Sequence, residues 1–307
     1  MSEEHAGPAS RIEGVSVVVP AWNEEAGIGE TLVRLKESLA ASGSAWEIVV
    51  VDDGSTDRTA EIAAASGATV VRHAVNIGYG RSLQDGMQAS RYSCIATVDA
   101  DATYPVKYLP RLLGELAHCD MVVGARQGPA YRGSLFKSPA RFAFRWLAEF
   151  ASGTRIPDIN SGMRIFRMEA AEPFLDTLPN GFSFPTTITL AFLFNGRGVK
   201  YVPIEYAARK GASKIRIVRD TLRAAQAIVT SIVYYNPLKA FLLLALACWL
   251  PALALTVAAI NEGGVWAILA GESFLAGVLV CALGLLAVRV GPRPGARTLS
   301  NRSSENS

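Results

Sequence analysis

Three short apolar runs in the first hundred residues each end in polar or acidic side chains, and that pattern narrows the fold more than any other feature. Val17-Val18-Val19 runs into Pro20-Ala21-Trp22-Asn23-Glu24-Glu25, and Ile48-Val49-Val50-Val51 into Asp52-Asp53-Gly54-Ser55-Thr56-Asp57. Cys94-Ile95-Ala96-Thr97-Val98 runs into Asp99-Ala100-Asp101. β-Branched runs closed by turn residues read as buried strands. Helical spacing follows the first two: Ile28, Leu32, Leu35 and Leu39 keep one face, and Ile62 begins a shorter apolar helix. Thr69-Val70-Val71 and Met121-Val122-Val123 extend the series. Such alternation implies an α/β fold, an open and mostly parallel sheet with helices on both faces. Sheets of this kind place ligands beyond the carboxyl ends of their strands, and here carboxylates gather at two or more of those ends.

Asp99 and Asp101 are the sharpest element of the pattern. Side chains alternate along an extended strand, so two carboxylates one residue apart can face the same way. Paired oxygen donors suit Mg²⁺ or Mn²⁺, and such an ion suits a diphosphate leaving group.

With these residues in place the chain resembles the inverting nucleotide-sugar glycosyltransferases of family 2, which have the GT-A fold. It resembles most the polyprenyl-phosphate glycosyltransferases, the group of dolichyl-phosphate mannose synthase. The likeness runs over about 15–216 and rests on six motifs in order. These are Val-Pro-Ala-Trp-Asn-Glu, Val-Asp-Asp-Gly-Ser-Thr-Asp, Asn76-Ile-Gly-Tyr-Gly, Asp99-Ala-Asp-Ala-Thr-Tyr-Pro, Asp158-Ile-Asn-Ser-Gly-Met-Arg and Lys210-Gly-Ala-Ser-Lys-Ile. The resemblance implies that Pro20, Ala21 and Glu24 line a nucleoside pocket and that Asp52 and Asp53 accept hydrogen bonds from base and ribose. It implies a turn at Asn76 and Gly78 where backbone approaches the donor, with Asp99 beside it and Asp99 and Asp101 bridging the metal. Arg81 and Ser82 depart from the family pattern, which favours small alanines there.

On the acceptor side the resemblance gives Asp158 a place beside the reacting groups; a local turn cap is the alternative. A phosphate monoester has its second pKa near ~6, so a lipid phosphate is already a nucleophile at neutral pH. It needs charge placement more than deprotonation. Ser161, Arg126, Arg132, Arg164, Arg209 and Lys214 are the candidates to hold it, arginine by its bidentate fork. The implied donor is a UDP-sugar first and GDP-mannose second, and the implied product a β-linked polyprenyl-phosphate sugar made for cell-envelope glycan or protein glycosylation. Self-association through the membrane helices is a further implication.

Half of the 307 residues are hydrophobic, and the excess is concentrated late. The stretch 240–260 carries no charge, and 273–288 is a second apolar run. About 20 such residues cross a bilayer as a helix. Two spans are therefore expected, at about 238–260 and 268–290. Lys214, Arg216, Arg219, Arg223 and Lys239 precede them, Arg289, Arg293, Arg297 and Arg302 follow, and the loop between holds Glu262 and Glu272 without a cation. The positive-inside rule then puts both ends in the cytoplasm, at a bacterial inner membrane by the resemblance. The segments 135–151 and 213–234 read as basic amphipathic helices for the headgroup layer. The organisation expected is a flexible 1–11, a catalytic domain over 12–212, a juxtamembrane helix over 213–236, two spans within 237–290, and a disordered tail over 291–307.

Other classes fit less well. Four scattered cysteines and three isolated histidines form no zinc pattern. A net charge of +3, collected beside the apolar spans, is no nucleic-acid stripe. Residues 1–11 have no apolar core of a signal peptide. A processive polysaccharide synthase would carry Gln-x-x-Arg-Trp, whereas Phe142 stands before Arg145-Trp146. A glycosyltransferase with another membrane acceptor, or a non-catalytic scaffold of the same fold, is the remaining alternative.

Overall fold

The computed structural model describes residues 12–128, 139–206 and 217–290. The N-terminal 1–11 and the tail 291–307 lie outside them, as do Arg132, Arg209 and Lys214. The chain forms two compact units, one comprising Met1–Glu149 with Thr154–Ala227 and the other Phe150–Gly153 with Ile228–Ser307.

The first unit is built on a seven-stranded sheet: β1 (Gly14–Ala21), β2 (Ala45–Asp52), β3 (Thr69–Arg72), β4 (Cys94–Thr97), β5 (Met121–Gln127), β6 (Arg164–Arg167) and β7 (Val199–Glu205). Their order is β3-β2-β1-β4-β6-β5-β7. Only β6 runs against its neighbours. β1 is buried along its whole length, as its unbroken apolar run requires of a central parallel strand. It is flanked by β2 on one side and β4 on the other, with Val17 opposite both Ile48 and Ala96. The chain reverses its direction of travel across the sheet at β1, and the crevice of such a sheet opens there.

The helices follow from apolar spacing. α1 (Glu25–Ala40) turns Ile28, Leu32, Leu35 and Leu39 into the core, as their i, i+4, i+7 spacing dictates. Removing one such leucine costs ~2–5 kcal/mol. α2 (Thr59–Ala65) is short and buries Thr59, Ala60 and Ala63; α3 (Tyr79–Gln88) buries Leu83 and Met87. α4 (Leu109–Glu115) buries Leu109 and Leu112 in the same core cluster as α1. α5 (Pro139–Ser152) and the four-residue α6 (Met168–Ala171) follow, and α7 (Phe184–Phe194) is almost wholly buried.

β6, β7 and α7 are absent from the sequence reading. β6 offers only Arg-Ile-Phe-Arg, too short for alternation. β7 contains Pro203, which a central strand would not tolerate but an edge strand does. α7 is apolar all round, so it shows no periodicity.

In the second unit α8 (Ile217–Tyr235), whose first eleven residues belong to the first unit, leads to α9 (Pro237–Glu262) and α10 (Val265–Val290). Asn236 caps α9, with its side chain accepting from the Lys239 N–H at 3.4 Å. The Lys239 ammonium donates to the carbonyls of Phe150 and Ala151 at 3.2 and 3.1 Å. The second apolar helix starts at Val265, earlier than the hydropathy suggested. Gly263 and Gly264, with φ of 67° and 60°, make the break, and Glu272 is carried without interruption. Trp249 stacks on Phe274 at 6.4 Å and donates to its carbonyl at 3.3 Å. Ser273 donates to the Cys248 carbonyl at 2.8 Å, and Gly284 lets Phe241 close in. Pro237–Asn261 and Val265–Arg289, at mean hydropathy 2.3 and 2.1, are long and apolar enough to cross a bilayer.

Candidate active site

The exits of β1, β2, β4 and β5 share one edge of the sheet, because those four strands run parallel. The first two exit loops are stitched together. The Asn23 N–H donates to Ser55 Oγ at 2.9 Å, and Asn23 Oδ1 accepts from the Thr56 N–H at 2.8 Å. The Glu24 N–H donates to Thr59 Oγ1 at 2.8 Å. Asn23 holds a φ of 50°, a region asparagine reaches more easily than most residues. Pro20 and Ala21 are buried at the end of β1, and Glu24 is half-buried where α1 begins.

The two carboxylates at the end of β2 have different surroundings. Asp53 Oδ1 accepts from the Ile77 N–H at 2.9 Å and Oδ2 from the Gly78 N–H at 2.9 Å. His73 Nδ1 lies 2.8 Å from the same Oδ1. Asp53 thus shapes the Asn76–Gly78 turn from below, while the Asn76 side chain stays exposed. Asp52 is fully buried and accepts from the Ser55 N–H at 3.2 Å through Oδ1. Its Oδ2 lies 3.4 Å from Arg72 Nε, an ion pair without an aligned hydrogen bond.

Gly78 has φ 116°, and a Cβ there would stand 2.5 Å from the Asn180 carbonyl oxygen. That carbonyl accepts from the N–H groups of Gly80 and Arg81 at 2.8 and 3.1 Å, filling the otherwise open start of α3. Glycine is required because the loop 179–181 sits directly on the turn.

β4 stops at Thr97, so Asp99 and Asp101 are set by a turn and not by strand alternation. Thr31 of α1 fixes that turn: its hydroxyl donates to the Ala100 carbonyl at 3.0 Å and accepts from the Ala102 N–H at 3.1 Å. Gly27 brings α1 against Ala100 and Asp101, and Ala102 takes a φ of 58°. Asp101 Oδ1 accepts from the Thr103 hydroxyl and N–H at 2.6 and 3.2 Å. Asp99 Oδ1 accepts from the Tyr79 hydroxyl at 2.9 Å. A Cβ on Gly162 would fall 2.6 and 2.7 Å from the two Asp99 oxygens. Gly162 is itself held between the Thr97 hydroxyl, which donates to its carbonyl at 2.7 Å, and the Tyr104 oxygen, which accepts its N–H at 2.7 Å.

Burial holds the Tyr79 phenol well above its ordinary pKa, with the Asp99 charge adding to the effect. Burial raises Tyr104 as well. Both therefore stay neutral at working pH, Tyr79 donating to Asp99 and Tyr104 accepting from Gly162. Hard carboxylate oxygens, one steadied by a neutral phenol and seated in space only glycine leaves, fit Mg²⁺ or Mn²⁺. Among the described residues no three His, Cys, Asp or Glu side chains cluster around an ion.

The acceptor-side candidates are arranged differently. Asp158, 2 % exposed, receives Arg126 through a fork, Nε to Oδ2 at 2.7 Å and Nη2 to Oδ1 at 3.0 Å. It also accepts the N–H groups of Arg126 at 3.1 Å and Asn160 at 3.2 Å, so the turn-cap geometry is present alongside the ion pair. The Arg126 guanidinium lies over the Tyr206 ring at 5.4 Å. Ser161 is buried and donates to the Gly124 carbonyl at 2.7 Å. Arg164, 1 % exposed, donates to the carbonyls of Ser161 and Pro185 and to the Thr189 hydroxyl. Burial lowers its pKa. The polar groups of Ser161 and Arg164 are thus engaged by buried backbone carbonyls and the Thr189 hydroxyl. Arg126 and Asp158 come together; Arg132, Arg209 and Lys214 lie outside the described residues.

Several supporting residues escaped the sequence reading, Thr31 and Thr103 among them. Tyr79, Tyr104 and Gly162 stand inside the quoted motifs, but their partners lie 20, 58 and about 63 positions away. His73 had no local signal, its partner Asp53 being 20 positions upstream.

Residues 16–174 match the family model described as glycosyl transferase family 2. The chain belongs to that family. The dolichyl-phosphate hexose transferase of Haloferax volcanii is 34 % identical over 72 % of this chain and 93 % of that protein. The undecaprenyl-phosphate 4-deoxy-4-formamido-L-arabinose transferase of Pseudomonas aeruginosa is 34 % identical over 56 % of this chain, which spans 55 % of that relative's length. Among solved structures, glucosyl-3-phosphoglycerate synthase of Mycobacterium tuberculosis, crystallised with Mn²⁺, UDP and glucosyl-3-phosphoglycerate, superposes with a TM-score of 0.60. It is 21 % identical and the match covers 76 % of this chain and 86 % of that one, a likeness of fold. The first unit is thus a GT-A fold and the chain a glycosyltransferase.

Proposed function

We propose that this glycosyltransferase moves one sugar from a nucleoside-diphosphate sugar to a polyprenyl phosphate, on the cytoplasmic face of a bacterial inner membrane. The Asp99–Asp101 turn at the switch point of the sheet carries the donor side of this reading. Two apolar helices of bilayer length, and the polyprenyl-phosphate relatives, support the acceptor side. A UDP-sugar is the preferred donor and GDP-mannose the second, the former in keeping with the UDP bound by the structural neighbour. Self-association through α9 and α10 and a role in envelope or protein glycosylation belong to the same proposal.

In this reading Pro20, Ala21, Glu24 and Asp52 form the nucleoside wall, Asp52 offering its buried Oδ2. Asp53 holds the Asn76–Gly78 turn that cradles the donor. Asp99 and Asp101 would hold Mg²⁺ or Mn²⁺, which when bound neutralises charge on the departing diphosphate. Tyr79 and Thr31 keep those carboxylates in place, so little reorganisation is needed as charge develops. The bond from the anomeric carbon to the diphosphate breaks as a lipid-phosphate oxygen forms the new one from the opposite face. That displacement inverts the anomeric centre and needs no general base, because the phosphate is already ionised. Asp158 orients Arg126 toward that phosphate, with Arg132, Arg209 and Lys214 supplying further positive charge and Ser161 and Arg164 bracing the wall.

The test is transfer by the full chain in detergent, with undecaprenyl phosphate, Mg²⁺ or Mn²⁺ and a panel of labelled nucleotide sugars. Metal-dependent label in the organic phase from one donor, lost in Asp101→Ala, is the expected result. Intact nucleotide binding without transfer to the lipid would discard the polyprenyl acceptor.

A further inference from the structure

We propose that His73 is a positioning residue for the donor, acting through Asp53 on the Asn76–Gly78 turn. The inference rests on the donor-site reading above and assigns that site a support which no family motif quoted above contains.

His73 follows β3 directly, and its N–H donates to the Asp52 carbonyl at 2.9 Å, so the ring projects where the β2 exit meets α3. The side chain is 10 % exposed and stands between two carboxylates. Nδ1 is 2.8 Å from Asp53 Oδ1. Nε2 is 3.0 Å from Asp85 Oδ2, off the line of a good hydrogen bond. Asp85 is neutralised by Arg81, with Nε and Nη2 at 3.0 and 2.9 Å from its two oxygens. A chain of contacts therefore runs from Arg81 on the surface of α3, through Asp85 and His73, to Asp53.

Its far end is the turn itself, because Asp53 receives the N–H groups of Ile77 and Gly78. Asp53 has two oxygens and three such partners, so its carboxylate plane is fixed by the ring as much as by the backbone. Two backbone N–H donors alone would leave that plane free to tilt, carrying the turn with it. Arg81, which stands where the family pattern favours alanine, completes the chain and makes the buttress a feature of this sequence. The imidazole is too deep to meet substrate, so its influence on catalysis passes through the geometry of the turn.

Two near-isosteres separate the contacts. Asparagine places its amide N–H where Nδ1 stands and keeps the bond to Asp53; glutamine reaches toward Asp85 and gives up that bond. The full chain in detergent, with His73→Asn and His73→Gln, is titrated with UDP and GDP in Mn²⁺, and donor and acceptor KM are measured. His73→Asn should bind nucleotide within about threefold of the parent, while His73→Gln should bind about tenfold more weakly, the loss of one charge-assisted hydrogen bond. Donor KM should follow binding, with acceptor KM and kcat at saturating donor unchanged. Thermal midpoints of both variants identify any that simply unfold, and Asp85→Asn then serves in its place with a small, donor-only effect. Equal losses in the two variants, or a loss in acceptor KM, would overturn the positioning role and leave the donor site standing. Failure of the parent chain to bind either nucleotide would overturn both.

Discussion

The proposed donor and acceptor walls of the site are held together by different physics. The donor wall is made of strand-exit loops locked by backbone N–H groups donating to neutral hydroxyls and to Asp53 and Asp101. The acceptor wall depends on one forked ion pair, Arg126 with Asp158, and on a buried arginine, Arg164. A wall of backbone donors is rigid before a ligand arrives, which suits a leaving group whose charge must be met at once. A wall built on a guanidinium keeps a cation fixed and oriented, which suits an anionic nucleophile.

The sharpest way to break this contrast is to remove half of the ion pair. Arg126→Ala strands the Asp158 carboxylate and should cost ~3–5 kcal/mol in chemical denaturation, whereas losing both charges together should cost much less. Acceptor KM should rise more than donor binding weakens. An equal fall in donor binding would erase the distinction between the walls.

The next largest effect belongs to the donor wall. Asp99→Asn and Asp101→Asn should each lower kcat by about 10²–10³-fold with thermal stability retained, the scale for removing a charge-stabilising group. Gly162→Ala pushes a methyl into the Asp99 carboxylate and should cost ~1–3 kcal/mol, felt in turnover. Tyr79→Phe deletes one hydrogen bond to Asp99 and should slow transfer about five- to tenfold.

The smallest effect is on pH. Tyr79 and Tyr104 are raised by burial, so the folded chain keeps protons that the unfolded chain releases near ~10. Their contribution is complete below ~10 and should fall as pH rises beyond it, seen as a declining thermal midpoint. Tyr79→Phe should flatten that decline.

The same contrast explains what could be read without coordinates. On the donor side each acidic pair stands at the end of a β-branched run and was visible there. The contacts that join the loops, Asn23 with Ser55 and Thr31 with Ala100, nevertheless lie 32 and 69 positions apart. Periodicity placed Ile28, Leu32 and Leu35 in the core. The apolar run of α9 was equally plain. The acceptor-side residues carry no comparable local signal. Arg126 and Asp158 are 32 positions apart, so their pairing left no local trace. Arg164 was expected among the groups that hold the lipid phosphate; its burial comes from α7, a helix with no period to reveal it. Asp99 and Asp101 were read correctly as strand-exit carboxylates, but their orientation comes from Thr31 and Thr103, not from the pleat.

The most direct test of a preformed metal and diphosphate site is calorimetric titration of UDP into the full chain with and without Mn²⁺, in the parent and in Asp101→Ala. Binding that tightens at least tenfold with Mn²⁺ in the parent, and gains nothing from it in the variant, is the predicted result. Metal-independent binding, identical in the two proteins, would contradict the account at its centre.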